Sequence, residues 1–140
     1  MSILAELYVA TPDKALGYDE VQEAPEGERA ELTGFTSIEF STLWAILEGK
    51  AWEEAYMDAF ETVLEKNGGE RMISLFPGKL VELAAALDDA RIAAAAEEWA
   101  ATDELEHCEP EELGPVIEEL RRVARVAKES GRGLYLWNCI

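Results

Sequence analysis

Residues 134–140, Leu-Tyr-Leu-Trp-Asn-Cys-Ile, and residues 3–9, Ile-Leu-Ala-Glu-Leu-Tyr-Val, decide the fold predicted for this chain. Both stretches are rich in aliphatic and aromatic residues, a composition typical of half-buried strands. A C-terminal run this apolar would be an exposed, aggregation-prone segment unless it were part of a sheet. Pairing of the two stretches is the simplest solution, so the sequence predicts a sheet that joins the first strand to the last.

A central hairpin is predicted between residues 60–66 and residues 70–76, on either side of Asn67-Gly68-Gly69. Asn-Gly favours a tight turn because both residues tolerate the positive φ that such turns require. The alternative is that residues 53–66 continue one helix that Gly68 ends. We favour the hairpin because β-branched and aromatic residues fill both arms.

Apolar residues at helical spacing predict four to five helices. Residues 36–39, Thr-Ser-Ile-Glu, resemble a capping box ahead of one helix, and a shorter helix is expected over residues 52–58. Pro77 suits the first turn of the next helix, and Asp88 is a good N-cap for the one after it. Pro115 is expected to open the last helix.

These elements predict a single α+β domain over residues 1–140, in which a small mixed or antiparallel sheet packs against the helices. An apolar fraction of 49% is enough for one core at this length. Two acidic segments have no apolar periodicity. We predict a solvated loop near residues 17–34 and an acidic connector near residues 102–114.

The charge of the chain is strongly negative and unevenly distributed. The formal net charge is −18, and all of the excess lies before residue 113, because residues 113–140 carry more Lys and Arg than Asp and Glu. Such a field repels nucleic acid and anionic membranes and attracts cationic surfaces. Arg121, Arg122, Arg125 and Lys128 are expected on the solvent side of the last helix, where they would neutralise part of the acidic body.

Compartment signals favour the cytoplasm. The apolar run at residues 3–9 has no preceding Lys or Arg, so a secretory signal is not expected, and no stretch has the ~20 apolar residues of a membrane helix. Cys108 and Cys139 match no zinc or redox spacing. The sequence therefore predicts a reduced cytoplasmic protein.

No motif predicts catalysis, a cofactor or a metal. His107 and Cys108 stand next to each other within an acidic run, but adjacent residues rarely bind one ion and no second pair completes a tetrahedral set. The glycines at residues 131–133 are too few for a phosphate loop. Among the many carboxylates, Glu97 and Glu98 beside Trp99 are the pair whose burial would most change this view.

Candidate partner-binding residues come from the acidic loop and from the start of the short central helix. Of the four tryptophans, Trp52 is the one expected to be partly exposed, and an exposed Trp among carboxylates is a good anchor for a protein partner. The predicted partner-binding residues are Asp19, Glu20, Glu23, Glu26, Glu28, Trp52, Glu53 and Glu54.

The order of the predicted elements over residues 36–140 resembles that of the YfbM-like group of small bacterial proteins. The resemblance rests on a Trp-bearing helix, a strand that enters Phe76-Pro77, paired helices that end at Trp99-Ala100, and a last helix that leads into residues 133–137. It does not include the N-terminal third. That group has no assigned function, so the resemblance implies a bacterial cytosolic α+β domain and transfers no site residues.

Two functions compete at this point. The first is a non-catalytic interaction protein whose acidic surface binds a basic protein, in the manner of immunity or decoy proteins. The second is a small-molecule-binding protein or enzyme with a pocket between the sheet and the Trp-bearing helices. That pocket would use Glu97 or Glu98 with Tyr56 or Tyr135.

Overall fold

The computed structural model describes residues 3–140, and within them five strands form one antiparallel sheet in the order β2-β1-β5-β4-β3. The strands are β1 (Leu4–Ala10), β2 (Arg29–Thr33), β3 (Glu61–Lys66), β4 (Arg71–Leu75) and β5 (Gly133–Cys139).

The pairing of the first and last strands is confirmed. β1 and β5 run antiparallel from the Leu4–Cys139 pair to the Ala10–Gly133 pair. β2 continues the sheet beyond β1, and β4 continues it beyond β5. The predicted C-terminal strand is therefore the central strand of the sheet, and the predicted N-terminal strand is one of its two neighbours.

Seven α-helices occur in the described residues. They are α1 (Pro12–Ala15), α2 (Tyr18–Val21), α3 (Ser37–Glu48), α4 (Glu54–Asp58), α5 (Gly78–Ala85), α6 (Asp89–Ala100) and α7 (Pro110–Ser130). The α+β class is confirmed, and the five helices from α3 to α7 correspond to the four to five predicted. α1 and α2 are single turns within the N-terminal third.

Local signals account for the helix starts and for the hairpin. Thr36 and Glu39 form the predicted capping box of α3, and the Asp88 side chain accepts a hydrogen bond from the Arg91 backbone N–H at the start of α6. The hairpin is also confirmed, because Asn67 and Gly68 both adopt positive φ between β3 and β4.

The main core lies on the face of the sheet that α3, α5, α6 and α7 cover. Leu7 of β1 and Leu136 of β5 point into it, and both are fully buried. Trp99 of α6 is also fully buried, and its Nε1 donates to the Glu39 carbonyl at 3.1 Å. The space between sheet and helices is filled by these side chains and their apolar neighbours.

The opposite face carries a second, smaller core that the sequence reading did not predict. It contains Tyr8, Tyr135 and Trp137, which alternate along β1 and β5 with the residues of the main core. The segment of residues 11–25, which includes α1 and α2, covers this face. Tyr18 of α2 stacks on Tyr8 with ring centroids 3.8 Å apart, and the Tyr8 hydroxyl donates to the Ala15 carbonyl at 2.7 Å.

The prediction of one solvated loop near residues 17–34 is wrong. This stretch contains α2, a 3₁₀ turn at Glu26–Glu28 and the edge strand β2. In β2, Ala30 is buried and Leu32 is half-buried against the main core, while Glu31 points to the other face beside Glu6 of β1. Only two apolar residues alternate within this acidic run, so the strand pattern was too short to recognise.

The start of the last helix is also corrected. α7 begins at Pro110, with Glu109 and Glu112 forming a capping box, and it continues through Pro115. A proline inside a helix lacks the N–H that would bond the carbonyl four residues earlier, here that of Glu111. Gly114 reduces the clash that a proline makes with the preceding residue, because it has no Cβ.

Replacing Pro115 by alanine should stabilise the protein. Alanine restores an N–H donor for the Glu111 carbonyl, and we expect the free energy of unfolding to rise by about 1–2 kcal/mol, since a looser unfolded chain offsets part of the gain. Urea denaturation measures this change. The matched control, Pro110→Ala at the first helical position, should change stability by less than about 0.5 kcal/mol. A loss of stability in Pro115→Ala would contradict a helix that passes through position 115.

Candidate partner-binding surface

The arginines of α6 and α7 are directed at backbone carbonyls of neighbouring elements. Arg91 donates to the Ile46 carbonyl at 2.8 Å, and Arg125 donates to the Ala85 carbonyl at 2.9 Å. Arg122 donates to the Arg29 carbonyl at 2.6 Å. Arg121 is about one-fifth exposed and donates to the Leu87 carbonyl. The predicted solvent-facing position is wrong for Arg121 and Arg122, which are half-buried, whereas Arg125 and Lys128 are exposed as predicted.

Most of the other Lys and Arg side chains form ion pairs with carboxylates. Among residues 3–140, eight Lys and Arg residues lie within 4.0 Å of a carboxylate, but they engage seven of the 30 acidic residues. The other 23 have no ion-pair partner within the part of the chain that the structure describes. The cations thus brace the fold, and the surface that remains is dominated by negative charge.

Asp19 belongs to the segment of residues 11–25 that covers the second core, hereafter the covering segment, and it is fully buried, in contrast to the exposed position expected from the sequence. Its Oδ1 accepts a hydrogen bond from Trp137 Nε1 at 3.0 Å, and its Oδ2 lies 2.8 Å from Lys66 Nζ. Arg71 Nε is 3.5 Å from Oδ1. Asp19 therefore joins the covering segment to β5 and to the β3–β4 hairpin. The charge pattern of residues 17–34 gave no sign of this, because both cations lie about 50 residues further along the chain.

The ionised form of Asp19 is favoured in the fold. Burial by itself raises the pKa of this carboxyl, but the contacts with Lys66, Trp137 and Arg71 outweigh burial and lower the pKa below its ordinary value. A lowered pKa means that the stabilising contribution is fully present above about pH 4. It is lost as the pH falls through the lowered pKa.

The other predicted residues near α2 are at the surface. Glu20, Glu23 and Glu26 are exposed. Glu28 is half-buried and forms a two-pronged ion pair with Arg132, at 3.0 and 2.7 Å, which lowers its pKa. Glu28 therefore fixes the 3₁₀ turn to the loop before β5, and Glu20, Glu23 and Glu26 are the residues of this group that remain open to a partner.

The second predicted group lies just before and at the start of α4. Trp52 is 47% exposed, as expected, and its Nε1 donates to the Ser41 hydroxyl at 3.0 Å. Glu53 and Glu54 are exposed at the start of α4, which leads into β3. The two groups belong to segments on different faces of the sheet, because α2 packs on the second core whereas α4 contacts α3 on the side of the main core. The structure does not bring them into one patch.

The pocket expected between the sheet and the Trp-bearing helices is not where it was predicted, because the main core fills that space. Glu97 and Glu98 are exposed on α6, whereas Tyr135 belongs to the opposite face of the sheet. A cavity of about 600 Å³ lies instead beside the covering segment, with Tyr8 and Tyr18 in its wall. Burial raises the pKa of both tyrosines, which keeps their hydroxyls protonated.

The environment of Cys108, next to His107, does not favour a reactive thiolate. Burial, followed by the nearby Glu112 charge, raises the pKa of the Cys108 thiol, which disfavours the nucleophilic thiolate. Cys108 and Cys139 are both free. Among residues 3–140, no group of three or more His, Cys, Asp or Glu side chains is placed to hold a metal ion.

Comparison with protein-family models, curated proteins and solved structures gave no significant match to this chain. The resemblance to the YfbM-like group therefore stays a prediction. Within residues 3–140, none of the helices combines the length and apolar character needed to cross a bilayer.

Replacing Asp19 by asparagine should destabilise the protein in a pH-dependent manner. Asparagine keeps the shape of the side chain but leaves Lys66 and Arg71 without their counter-charge. We expect the free energy of unfolding to fall by about 1–3 kcal/mol at pH 7. The deficit should shrink as the pH is lowered towards the lowest value at which both proteins stay folded. Denaturant titrations of both proteins over this pH range measure the difference in the free energy of unfolding.

Glu20→Gln is the matched control for that experiment, because it removes one charge from the neighbouring exposed position of α2. It should change the free energy of unfolding by less than about 0.5 kcal/mol at every pH. If the deficit of Asp19→Asn were the same at all pH values, the charge of Asp19 would not be what holds the covering segment.

Proposed function

We propose that this protein is a non-catalytic interaction module that binds a basic protein through its acidic surface, in the manner of immunity or decoy proteins. One observation carries the proposal. Ten of the twelve Lys and Arg residues donate to backbone carbonyls or pair with carboxylates within residues 3–140, while 23 carboxylates have no ion-pair partner there. A surface arranged in this way complements a cationic partner and speeds its encounter.

The same negative field favours a basic protein as the partner over nucleic acid and over anionic membranes. Nucleic acid and anionic lipid carry dense negative charge, which a surface of net charge −18 repels. A basic protein brings both opposite charge and side chains that can bury apolar area. Trp52 supplies the aromatic contact that interface centres favour.

Two exposed groups are the proposed contact regions, and each is open to test by itself. One is Glu20, Glu23 and Glu26, and the other is Trp52, Glu53 and Glu54. We also propose a bacterial, cytoplasmic setting. The two free cysteines fit a reducing compartment, and the bacterial assignment rests on the resemblance of the predicted elements to the YfbM-like group.

A small-molecule site is the second candidate function, and the cavity beside the covering segment is the observation that favours it. Its volume of about 600 Å³ lies within the range of small-ligand pockets, roughly 300–1,000 Å³. Tyr8 and Tyr18 form part of its wall together with apolar residues and with charged side chains that include Lys14, Glu28 and Arg132. This site differs in place and residues from the pocket that the sequence suggested.

The proposed function predicts retention of a basic protein by the immobilised chain. We expect a dominant basic protein from a bacterial lysate to be held at low ionic strength, and its purified form to bind about tenfold more weakly at physiological ionic strength. An unrelated protein of equal negative charge is the control. Equal retention of the same proteins by that control, or no retained protein at either salt, would contradict the proposal.

Charge-neutral variants then locate the contact. Glu20→Gln/Glu23→Gln/Glu26→Gln and Trp52→Ala/Glu53→Gln/Glu54→Gln are compared with Glu82→Gln/Glu129→Gln, which removes two exposed charges elsewhere. The variant at the true contact should weaken binding by about tenfold, and the control by less than about threefold. Equal weakening by all three variants would show a diffuse charge effect without a specific interface.

A further inference from the structure

The longest stretch without a cation in the acidic body is residues 92–120, which hold ten Asp or Glu and no Lys or Arg. It contains most of α6, the connector and the first half of α7. None of its residues was among the predicted partner contacts, because the sequence did not show which carboxylates the two helices bring together. The structure places several of them along one groove.

This groove lies between α6 and the first half of α7 and has a volume of about 380 Å³. Its floor is apolar and is formed by Ile92, Ala93, Ala96, Pro110, Gly114 and Pro115, of which Ile92 and Ala96 are buried. A Cβ added at Gly114 would meet no atom within 4 Å, so the groove is open at that point.

Carboxylates line the groove on both helices. Asp89 and Glu97 lie on α6, and Glu111 and Glu118 lie on α7. Asp89 is engaged by Arg121 at 3.0 Å, and Arg122 pairs with Glu119. Glu97, Glu111 and Glu118 are exposed and have no ion-pair partner within residues 3–140.

The backbone adds another acceptor at the same place. Pro115 has no N–H, so the Glu111 carbonyl lacks the helical donor that any other residue at position 115 would supply. Both residues line the groove. Carboxylates and an under-bonded carbonyl beside an apolar floor favour a ligand with several N–H donors on an apolar stem.

We infer that this groove receives an arginine side chain of the basic partner, an inference that rests on the proposed function. The aliphatic stem of arginine packs on apolar floors of this kind, and its planar guanidinium carries five N–H donors that can bridge carboxylates on facing helices. The lysine ammonium is one compact and strongly hydrated charge, so it is less suited to bridging carboxylates on the two helices. The groove thus selects arginine, whereas the wider field attracts any cation.

A short amidated peptide in which arginine alternates with glycine is the probe, and a lysine–glycine peptide of equal charge is its comparison. Binding to the full chain is measured by calorimetry at low ionic strength, and the site is located by amide chemical shifts of the ¹⁵N-labelled protein. We expect the arginine peptide to bind at least about threefold more tightly than the lysine peptide. Its largest shifts should fall in α6 and in the first half of α7.

Two variants separate the groove from the general field. Glu97→Gln/Glu111→Gln/Glu118→Gln should weaken binding of the arginine peptide by about tenfold, while Glu61→Gln/Glu82→Gln/Glu129→Gln removes equal charge at exposed positions elsewhere and should weaken it by less than about threefold. Ala93→Leu fills the floor without changing any charge and should weaken binding by about fivefold. Its control, Ala94→Leu, alters the neighbouring exposed position outside the groove and should bind as the native protein does.

The outcomes distinguish the inference from the function on which it rests. If the native protein binds the peptide but Ala93→Leu and the groove triple variant bind equally well, the groove inference is overturned while the acidic module stands. If the peptide does not bind but a basic protein is captured, the same variants are tested against that protein, and unchanged affinity again overturns the inference. If neither binds, both proposals fail.

Discussion

The rest of the structure depends on the antiparallel pairing of β1 with β5. These strands carry apolar side chains on both faces, with Leu7 and Leu136 on one side and Tyr8 and Trp137 on the other. A sheet of this kind must be covered twice. Four helices cover the first face. The short segment of residues 11–25 covers the second, and its few apolar residues explain why it needs Tyr18 and the buried Asp19 to stay in place.

The distribution of charge follows from this arrangement. Arginines donate to carbonyls near helix C-termini and at the start of β2, and Lys66 and Arg71 reach Asp19, so these cations connect neighbouring elements of the fold. Such contacts resemble the capping of helix C-termini, in which a side chain donates to otherwise unpaired carbonyls. The surplus of carboxylates is left at the surface as a consequence. The acidity of the chain is therefore unevenly distributed, and its longest stretch without Lys or Arg is residues 92–120.

Local patterns in the sequence were sufficient for the elements that carry their own signals. Three such signals each predict an element from a few neighbouring residues, and the structure confirms all three. They are the capping box at Thr36, the Asn67-Gly68 turn and the two apolar end segments. β2 was missed because it has two inward residues in an acidic run. The start of α7 was misplaced because two prolines, Pro110 and Pro115, both satisfy the rule for a first helical turn.

The candidate site was less predictable than the fold, for a physical reason. Whether a carboxylate is buried or exposed depends on cations that lie far away in the sequence, as Asp19 and its partners Lys66 and Arg71 demonstrate. The exposure of Trp52 was predicted because local acidic neighbours already indicated solvent. The groove between α6 and α7 was not, since it exists only where two helices pack through small residues.

The β1–β5 ladder also constrains how the chain is made. β1 must wait for β5, which is more than 120 residues further on, before its central pairing forms. Pairing over such a separation folds slowly, and an unpaired apolar strand is prone to aggregate during that time. During synthesis, therefore, the tyrosine-bearing strand β1 leaves the ribosome long before β5 exists, and β2 can cover only one of its two edges at that stage. The dense negative charge that follows it holds nascent chains apart by mutual repulsion, which gives the acidic residues a use before the protein has folded.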